Sequence, residues 1–262
     1  MKKLFVVKIG GNIIDDEATQ QSFMADFAAV PGKKMLVHGG GKIASSKGKQ
    51  LGIEPNYING RRITDEATID MVTMVYGGLI NKKIVAVLQS YKCNAIGLTG
   101  VDANIIPATK RPVKEVDYGF VGDINSEQLS IANLQLFLEN GLVPVIAPLT
   151  HDGKGQILNT NADTIASALA VALSGSYDVR LIYCFEKKGV LENIKDESSV
   201  INFMDKEKYD QLLADKKLVD GILPKIDNAF SAIGSGVNEV LIGDATDLLV
   251  NTTENIKGTL FR

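Results

Sequence analysis

The feature that most constrains the fold of this chain is an apolar run that ends in glycines and is followed by a helical pattern. It occurs twice near the N-terminus, where Leu4–Ile9 ends at Gly10–Gly11 and Met35–His38 ends at Gly39–Gly41. Continuous apolar runs are typical of strands that are buried on both faces of a parallel sheet. Glycines at a strand-to-helix turn allow backbone N–H groups to approach an anion. The two turns therefore predict an anionic ligand at the carboxyl ends of these strands.

The same alternation of strand and helix patterns continues along the chain. Helices are predicted at Asp15–Val30, after Gly41 as far as Leu51, and at Ala67–Ser90, Glu127–Asn140 (between Ser126 as N-cap and Gly141), Ala162–Leu173, Asp205–Lys216 and Leu223–Ile233. Further strands are predicted at Ala95–Leu98, Leu142–Ala147, Val179–Phe185 and Val237–Ile242. This order predicts an α/β protein, a three-layer αβα sandwich with a mostly parallel central sheet.

Three stretches interrupt the alternation and predict β-hairpins that protrude from the sheet. They are Ile53–Thr64, Ile105–Ile124 and the tight turn within Thr150–Gln156. No repeat or clean linker divides the chain. We therefore expect a single domain over residues 1–262, with an N-terminal lobe over about 1–175 and a C-terminal lobe over about 176–262.

The composition excludes several broad classes of protein. The chain has 262 residues, with 28 Lys and Arg against 31 Asp and Glu, so no basic excess indicates a general nucleic-acid binder. Lys8 interrupts the first apolar stretch, which favours a strand over a signal peptide, and no uninterrupted apolar run reaches the ~18 residues of a membrane span. Cys93 and Cys184 lie in separate apolar segments, as buried reduced thiols do. We expect a cytoplasmic protein.

A few charged residues are candidates for chemistry, and each has a structural alternative. Lys8 ends a buried strand, which is costly unless its ammonium group meets an anion or reaches solvent. Asp163 opens an Ala-rich helix, where Asn161 could serve only as the N-cap. Lys225 begins an amphipathic helix and could be merely exposed, and His38 could act as a base. With 2 histidines in the chain, no His-pair metal site or Ser-His-Asp triad is indicated.

One glycine pattern leaves a different reading open. Gly39–Ala44 fits the dinucleotide fingerprint G-x-G-x-x-A after a strand. That fingerprint calls for an acidic residue ~20 positions later, where this chain has Arg61 and Arg62 in a polar hairpin. An NADP-binding oxidoreductase could use an arginine there, whereas the P-loop pattern of nucleotide triphosphatases is absent.

Taken together, these motifs resemble the amino acid kinase family, and within it the kinases of N-acylated glutamate. The resemblance extends along nearly the whole chain and is carried by Lys8–Gly11, His38–Gly41, Asn59–Asp65, Asp117–Gly122, Leu158–Asp163 and Asp220–Lys225. It implies the amino acid kinase fold and ATP-dependent phosphorylation of the γ-carboxylate of an N-acyl-L-glutamate, first of all N-acetyl-L-glutamate, in arginine biosynthesis.

The resemblance also implies roles for particular residues. The lysines that match Lys8 and Lys225 touch the transferring phosphoryl group, and the aspartate that matches Asp163 holds both lysines. Backbone N–H groups of Gly11 and Gly40 bind the phosphoryl oxygens. These roles agree with the needs of phosphoryl transfer, in which positioning and charge neutralisation dominate.

The remaining implied roles concern the two substrates. Gly40 and Gly41 line the acceptor, Arg62 grips its α-carboxylate in the bidentate manner that suits a guanidinium, and Asn159 binds the acylamino end. The implied nucleotide-binding residues are Gly10, Glu186, Gly189 and Val190. ATP is expected with Mg²⁺ held mainly by phosphates and water, so no metal ligand is assigned to the chain.

Two departures from the family pattern bear on these roles. Cys184–Lys188 stands where the family commonly has Leu-Thr-Asp-Val before the glycine that matches Gly189, and Glu186 is expected to replace the aspartate. Lys42 stands where proline is usual and is expected at the edge of the acyl-glutamate pocket. A lysine there would attract an acyl group that carries its own carboxylate, so N-succinyl-L-glutamate is an alternative substrate.

The resemblance also bears on assembly. Arginine-inhibited members carry an additional N-terminal helix, whereas here Leu4 begins the first strand almost at once. We therefore expect a homodimer without arginine feedback, with Ala67–Ser90 as its contact surface. Two alternatives stay open: a kinase of free glutamate, aspartate or carbamate with the same fold, and a non-catalytic sensor of a nucleotide or amino acid.

Overall fold

The computed structural model of the protein describes residues 1–193, 196–215 and 223–262. Its strands are β1 (Lys3–Ile9), β2 (Lys33–His38), β3 (Tyr57–Ile58), β4 (Arg61–Arg62), β5 (Ala95–Leu98), β6 (Ala108–Lys110), β7 (Gly122–Ile124), β8 (Val143–Ile146), β9 (Leu149–His151), β10 (Ile157–Asn159), β11 (Asp178–Phe185), β12 (Phe203–Met204), β13 (Glu239–Asp244) and β14 (Thr259–Phe261). Its α-helices are α1 (Gly11–Asp15), α2 (Glu17–Ala29), α3 (Gly41–Gln50), α4 (Glu66–Val72), α5 (Asn81–Ser90), α6 (Ile131–Glu139), α7 (Ala162–Ser174), α8 (Lys206–Ala214), α9 (Leu223–Gly234) and α10 (Leu248–Asn251).

An eight-stranded sheet in the order β12-β14-β13-β11-β1-β2-β8-β5 forms the centre of the molecule. Every neighbouring pair in it is parallel except β13 and β14. The predicted α/β class with a mostly parallel sheet is therefore confirmed. Because these strands are parallel, the carboxyl ends of β1, β2, β8 and β11 lie side by side along the same side of the sheet.

Helices cover both faces of this sheet, and strand β1 shows why. Leu4 and Val6 belong to a core cluster that includes residues of α6, α7 and α9, whereas Phe5 and Val7 belong to a second cluster with residues of α2, α4 and α5. Alternate side chains of a strand point to opposite faces, so an apolar run such as β1 needs a helical layer on each side. The three-layer arrangement is confirmed.

The three predicted hairpins are present and lie outside the central sheet. They are the antiparallel pairs β3–β4, β6–β7 and β9–β10. The turn of the first is formed by Asn59 and Gly60, which both have positive φ angles (50° and 73°). Bridges from Thr64 to Gly119 and from Val121 to Asn159 connect the hairpins to one another.

Two helix predictions were wrong at their N-terminal ends. The helix expected from Asp15 begins at Glu17, because Asp16 accepts a hydrogen bond from the Thr19 N–H (2.8 Å) and serves as N-cap. The helix expected from Glu127 begins at Ile131, and Ser126 instead starts a 3₁₀ turn, Ser126–Gln128.

The long helix expected at Ala67–Ser90 is interrupted. Its middle, Thr73–Ile80, is π-helical and contains two adjacent glycines, Gly77 and Gly78. The whole segment Glu66–Ser90 has the length and hydropathy of a membrane span, but 44% of its most apolar window is buried within the protein. A largely apolar helix that packs on a sheet passes the same test, so this feature is explained by the core.

The short strands β12, at one edge of the sheet, and β14, next to it, were not predicted, because runs of two or three residues carry no usable periodicity. The C-terminal end of the expected helix Asp205–Lys216 lies outside the described residues beyond 215. So does the Asp220–Ile222 part of the motif that precedes Lys225.

Candidate functional site

A cavity of about 600 Å³ opens at the carboxyl edge of the central sheet. Its walls come from the glycine turns after β1 and β2, from the three hairpins, and from the first turns of α7 and α9. The predicted site residues that line it are Lys8, Gly10, Gly11, Gly40, Gly41, Arg62, Asn159, Asp163 and Lys225. Residues that are up to 217 positions apart in the sequence therefore face one space.

One end of the cavity holds a group that we call the lysine cluster: Lys8, Asp163, Lys225 and Phe185. Lys8 shares the sheet face of Leu4 and Val6, which is covered by α7. Its Nζ lies 2.8 Å from Oδ1 of Asp163, on the first turn of α7. The two atoms form an ion pair without the alignment of a hydrogen bond.

Lys225 lies in the first turn of α9 and faces the same ion pair. Burial lowers the pKa of Lys225 and the charge of Lys8 lowers it further, while Asp163 and Glu186 act in the opposite direction. The ammonium group of Lys225 lies 3.7 Å from the centre of the Phe185 ring, and that of Lys8 lies 5.2 Å from it. Two cations and one carboxylate thus leave a positive charge at this end of the cavity.

The other end holds a group that we call the arginine cluster: Arg62, Tyr57, Ser45, Tyr76 and the carbonyl of Gly41. Nη2 of Arg62 donates to the Gly41 carbonyl (2.9 Å), to Ser45 Oγ (2.8 Å) and to the Tyr57 hydroxyl. The guanidinium carbon lies 4.8 Å from the centre of the Tyr57 ring.

Arg62 is buried, and its Nη1 has no hydrogen-bond partner. Tyr76 also lines the cavity, and burial raises the pKa of its hydroxyl despite the nearby Arg62 charge. An unpaired buried N–H of a charged group is costly, so Nη1 is suited to an anionic ligand.

The two glycine turns place helix N-termini between these clusters. Gly10 and Gly40 are the N-cap residues of α1 and α3, and Gly11 and Gly41 are the first residues of those helices. Gly40 has a φ of +144°, and a Cβ atom there would lie 2.3 Å from Ile80 Cδ1. The positive φ angle and this close contact favour glycine at position 40, which lines the cavity.

Asn159 ends β10 and is held by the neighbouring hairpin. Its backbone N–H donates to the Phe120 carbonyl (2.9 Å), and its Nδ2 donates to Thr64 Oγ1 (3.1 Å). The close approach that makes this possible depends on Gly119, where φ is +71° and a Cβ would lie 2.1 Å from the Thr64 carbonyl oxygen. Asn161 does cap α7, since its side chain accepts from the Thr164 N–H (3.0 Å).

The residues predicted to bind the nucleotide are only partly at this cavity. Gly10 lines it, whereas Glu186, Gly189 and Val190 do not. Glu186 is exposed and acts on Lys225 electrostatically. The N–H of buried Val190 already donates to Thr259 Oγ1 (2.8 Å), which fixes this loop to strand β14.

Two expectations about cavity residues were wrong. Lys42 does not border the cavity: its side chain is 72% exposed, donates to Asn12 and lies 3.7 Å from a carboxylate oxygen of Asp15. His38 is fully buried, with Nδ1 2.8 Å from the Gly39 carbonyl oxygen and Nε2 3.2 Å from Nδ2 of Asn81. Burial lowers the pKa of His38 to about 4, so this ring is a neutral support of the glycine turn and not a base facing the cavity.

Several cavity residues were missed from the sequence. Tyr57, Ser45 and Tyr76 lie 5 to 17 residues from Arg62, and no motif connects them with it. Arg111 also lines the cavity, where its Nε donates to Asp123 (3.1 Å). Phe185 was seen only as part of an atypical segment, because its approach to both lysines depends on three separate elements.

Among residues 1–193, 196–215 and 223–262, no group of three or more His, Cys, Asp and Glu side chains has an arrangement suited to a metal ion. The cavity carboxylates of Asp163 and Asp123 face Lys8 and Arg111. A divalent cation here would need ligands from its substrate and from water, as Mg²⁺ accepts.

Comparisons with known proteins identify the family of this chain. A model of the amino acid kinase family matches residues 3–244. This chain belongs to the amino acid kinase family. It is 53% identical over 256 residues to a protein of Cytophaga hutchinsonii named acetylglutamate kinase, covering 97% of this chain and 96% of that one. It is equally similar to the acetylglutamate kinase of Bacteroides thetaiotaomicron, with 98% and 99% coverage.

A solved structure supports the fold. The chain resembles N-acetylglutamate synthase from Neisseria gonorrhoeae, complexed with coenzyme A and N-acetyl-glutamate, with a TM-score of 0.82 and 20% identity. The match covers 99% of this chain and 59% of the synthase, so this chain spans about three fifths of that protein. The family resemblance seen in the sequence is confirmed, and so is the expected amino acid kinase fold.

Proposed function

We propose that this protein is an ATP-dependent kinase that phosphorylates the γ-carboxylate of N-acetyl-L-glutamate in arginine biosynthesis. The observation that carries the proposal is that Lys8, Asp163 and Lys225 face the same cavity as Arg62. One end of that cavity is suited to a phosphoryl group and the other to a carboxylate. The relatives named acetylglutamate kinase support this reading over their full length.

The reaction balances without a general base. An oxygen of the ionised γ-carboxylate forms a bond to the γ-phosphorus of ATP, the bond from phosphorus to the β–γ bridging oxygen breaks, and ADP leaves with that electron pair. An acyl phosphate results. Catalysis then consists of holding two anions in line and neutralising the charge on the phosphoryl oxygens.

We assign that neutralisation to the lysine cluster and to the glycine turns. Lys8 and Lys225 contact the transferring phosphoryl group, and Asp163 keeps Lys8 oriented through the 2.8 Å ion pair. The N–H groups of Gly11 and Gly40 add donors from two helix N-termini, where anions are favoured. Donors fixed in advance need no reorganisation during the reaction.

The acceptor is assigned to the other end of the cavity. Arg62 binds its α-carboxylate through the unpaired Nη1, Gly40 and Gly41 line its chain, and Asn159 binds the acylamino end. Because Arg62 is already held by Tyr57, Ser45 and the Gly41 carbonyl, it loses little side-chain entropy on binding.

The nucleotide is assigned to Gly10, Glu186, Gly189 and Val190, on the side of the C-terminal lobe. Mg²⁺, when bound with ATP, would neutralise phosphate charge, and the cavity carboxylates that face cations leave its coordination to phosphates and water. The residues present therefore fit MgATP as a substrate and supply the ammonium groups that complement it.

One observation favours a second acceptor, N-succinyl-L-glutamate. Arg111 lines the cavity in addition to Arg62, and a second carboxylate on the acyl group would compete with Asp123, the present partner of Arg111, for its guanidinium. Lys42, which first suggested this substrate, is not that cation. Comparing acetyl- and succinylglutamate as substrates decides between them, and a strong acetyl preference that Arg111→Leu leaves unchanged would exclude the succinyl reading.

Further parts of the proposal concern the whole molecule. We assign acceptor binding and a homodimer contact to the lobe over about residues 1–175, and ATP binding to the lobe over about 176–262. We also propose that the enzyme is cytoplasmic. Met74, which is 57% exposed in the apolar segment Glu66–Ser90, supports that contact surface. Light scattering tests it, and a monomer at micromolar concentration would refute the dimer.

The decisive experiment traps the acyl phosphate with hydroxylamine. We expect hydroxamate with ATP and N-acetyl-L-glutamate, none with free glutamate, and a loss of about 10²–10³ in rate for Lys8→Ala. Nucleotide binding without hydroxamate from any N-acylglutamate would contradict the proposal and indicate a sensor. Product from free glutamate would indicate another kinase of the same fold.

A further inference from the structure

Two like charges face each other at the site, and in the part of the chain that the structure describes only Lys8 of the two forms an ion pair with a carboxylate, that of Asp163. Lys225 is half-buried. Burial and the charge of Lys8 disfavour its charged form, while Asp163 and the exposed Glu186 favour it. A group in direct contact with the Lys225 ammonium would therefore help to hold it near Lys8 before an anionic substrate arrives.

The ring of Phe185 lies where such a group is needed. Nζ of Lys225 is 3.7 Å from the ring centre, which is contact distance, and Nζ of Lys8 is 5.2 Å from it. The face of an aromatic ring is its negative part and attracts cations within about 6 Å. One ring therefore serves both ammonium groups.

The ring is itself held in place. Phe185 follows Tyr183 by two residues on β11, so both side chains share one sheet face. Their rings stack with centres 6.1 Å apart and an interplanar angle of 17°. The Tyr183 hydroxyl donates to the backbone carbonyl of Asp163 (3.3 Å), which connects this stack to the first turn of α7.

We propose that Phe185 is a positioning residue for phosphoryl transfer, whose ring face holds the ammonium groups of Lys8 and Lys225 together at the cavity. This inference rests on the proposed function for its catalytic consequence only. The placement of the two ammonium groups is a property of the free protein, so it can be tested apart from any reaction.

The first test uses the ligand-free protein and needs no activity. Labelling with an amine-reactive reagent across pH, read by peptide mass spectrometry, gives the pKa of Lys225. The charged groups facing Lys225 are Lys8 on β1, Asp163 on α7 and Glu186 after β11. Phe185→Leu removes the ring face and should lower the pKa of Lys225, whereas Phe185→Tyr should keep it. Equal values in all three proteins would overturn the proposal.

The second test measures kinetics. A cation–π contact of ordinary strength predicts that Phe185→Leu lowers kcat about threefold to thirtyfold. KM for the acylglutamate should stay within twofold, because the arginine cluster is untouched, and the alkaline limb of kcat should move to lower pH. Phe185→Tyr should retain kcat. An equal loss of kcat in Phe185→Leu and Phe185→Tyr would refute the proposed role of the ring face.

Two controls separate charge from packing. Phe137→Leu makes the same change at a half-buried phenylalanine on α6 and should leave kcat unchanged. A series of phenylalanines with increasing fluorination at position 185 keeps the shape of the ring and reduces the negative charge of its face. This series tests the proposal even if Phe185→Leu fails to fold. The pKa of Lys225 should fall with each fluorine, and a flat series would overturn the proposal. Absence of kinase activity in the wild type, by contrast, would count against the proposed function alone.

Discussion

The two ends of the cavity hold their cations in different ways. In the arginine cluster, Arg62 is buried and three oxygen atoms accept from its Nη2. In the lysine cluster, Lys8 has one carboxylate, and the ammonium group of Lys225 lies 3.7 Å from the centre of an aromatic ring. The first arrangement holds its cation by hydrogen bonds, and the second holds its cations by an ion pair and a ring contact.

The difference follows from what each end is proposed to bind. A carboxylate that stays unchanged through the reaction is best met by a rigid fork with one open nitrogen. A phosphoryl group that changes partner needs donors that are still available when charge develops on its oxygens. The contrast predicts that changes at the arginine cluster alter KM for the acceptor, and that changes at the lysine cluster alter kcat.

The largest effect is expected at the lysine cluster. Lys8→Ala should lower kcat by about 10²–10³ with little change in KM for the acceptor, because one of the phosphoryl donors is lost. Lys42→Ala, at an exposed lysine just after the glycine turn that follows β2, is the matched control and should keep wild-type rates. A kcat within threefold of wild type for Lys8→Ala would refute the contrast.

Acid should destabilise the protein through His38, which lies beside the glycine turn that follows β2. The pKa of His38 is about 4 in the folded protein against an ordinary value near 6.5. Because the unfolded chain binds the proton more readily, this contribution is fully present above about pH 6.5 and is lost as the pH falls towards 4. The free energy of unfolding should drop by about 2–3 kcal/mol between pH 7.5 and 4.5 from this residue.

Urea unfolding at the two pH values measures this drop. His38→Gln should be less stable at pH 7.5 but should lose less on acidification, since it cannot take up the proton. His151→Gln, at the other histidine of the chain, should retain the wild-type acid dependence. If wild type and His38→Gln lose the same stability on acidification, His38 is not buried in its neutral form.

Arg62→Lys tests the arginine cluster directly. Lysine keeps the charge but loses the planar fork, and hydrogen bonds of charged groups contribute about 1.5–3 kcal/mol. KM for N-acetyl-L-glutamate should therefore rise about 10–150-fold, while kcat changes less. The neighbouring exposed arginine, as Arg61→Lys, should change KM by less than about threefold. An effect of Arg62→Lys confined to kcat would reverse the proposed division of roles.

The smallest effect is expected from Gly40→Ala. A methyl group at φ +144° and 2.3 Å from Ile80 Cδ1 should destabilise the protein by about 2 kcal/mol. Gly52→Ala, where φ is +75° and no atom lies within 4 Å, should cost about 1 kcal/mol. Denaturant midpoints measure both, and only Gly40→Ala should also raise KM for the acceptor. Equal destabilisation by the two would show that the contact with Ile80 does not matter.

Much of the architecture could be predicted from the sequence, because strands buried on both faces leave continuous apolar runs. Leu4–Ile9 and Val179–Phe185 were found within one residue of their ends. Helix starts were less predictable, since Asp15 and Asp16 are both plausible caps, and only the bond to Thr19 decides for Asp16. Thr259–Phe261, which lies between β12 and β13, was missed because a strand of three residues carries too short a pattern to be recognised.

The residues of the candidate site also fall into those that could be predicted from the sequence and those that could not. Lys8, Asp163 and Lys225 could be predicted because their types and order match a family pattern. Lys42 was misplaced because sequence proximity to Gly41 does not reveal direction: α3 turns its side chain towards Asn12 and Asp15. Phe185 could not be found at all, because a ring contact with two lysines from different elements has no signature along the chain.

The seven-residue parallel pairing of β1 with β11 joins the first strand to a strand that begins 175 residues later in the sequence. If the chain were cut at exposed Ser176, Lys3–Ile9 on one fragment and Asp178–Phe185 on the other would become unpaired sheet edges. Such edges pair with strands of other molecules. We expect each fragment to aggregate when expressed alone, and the pair to reassemble when produced together.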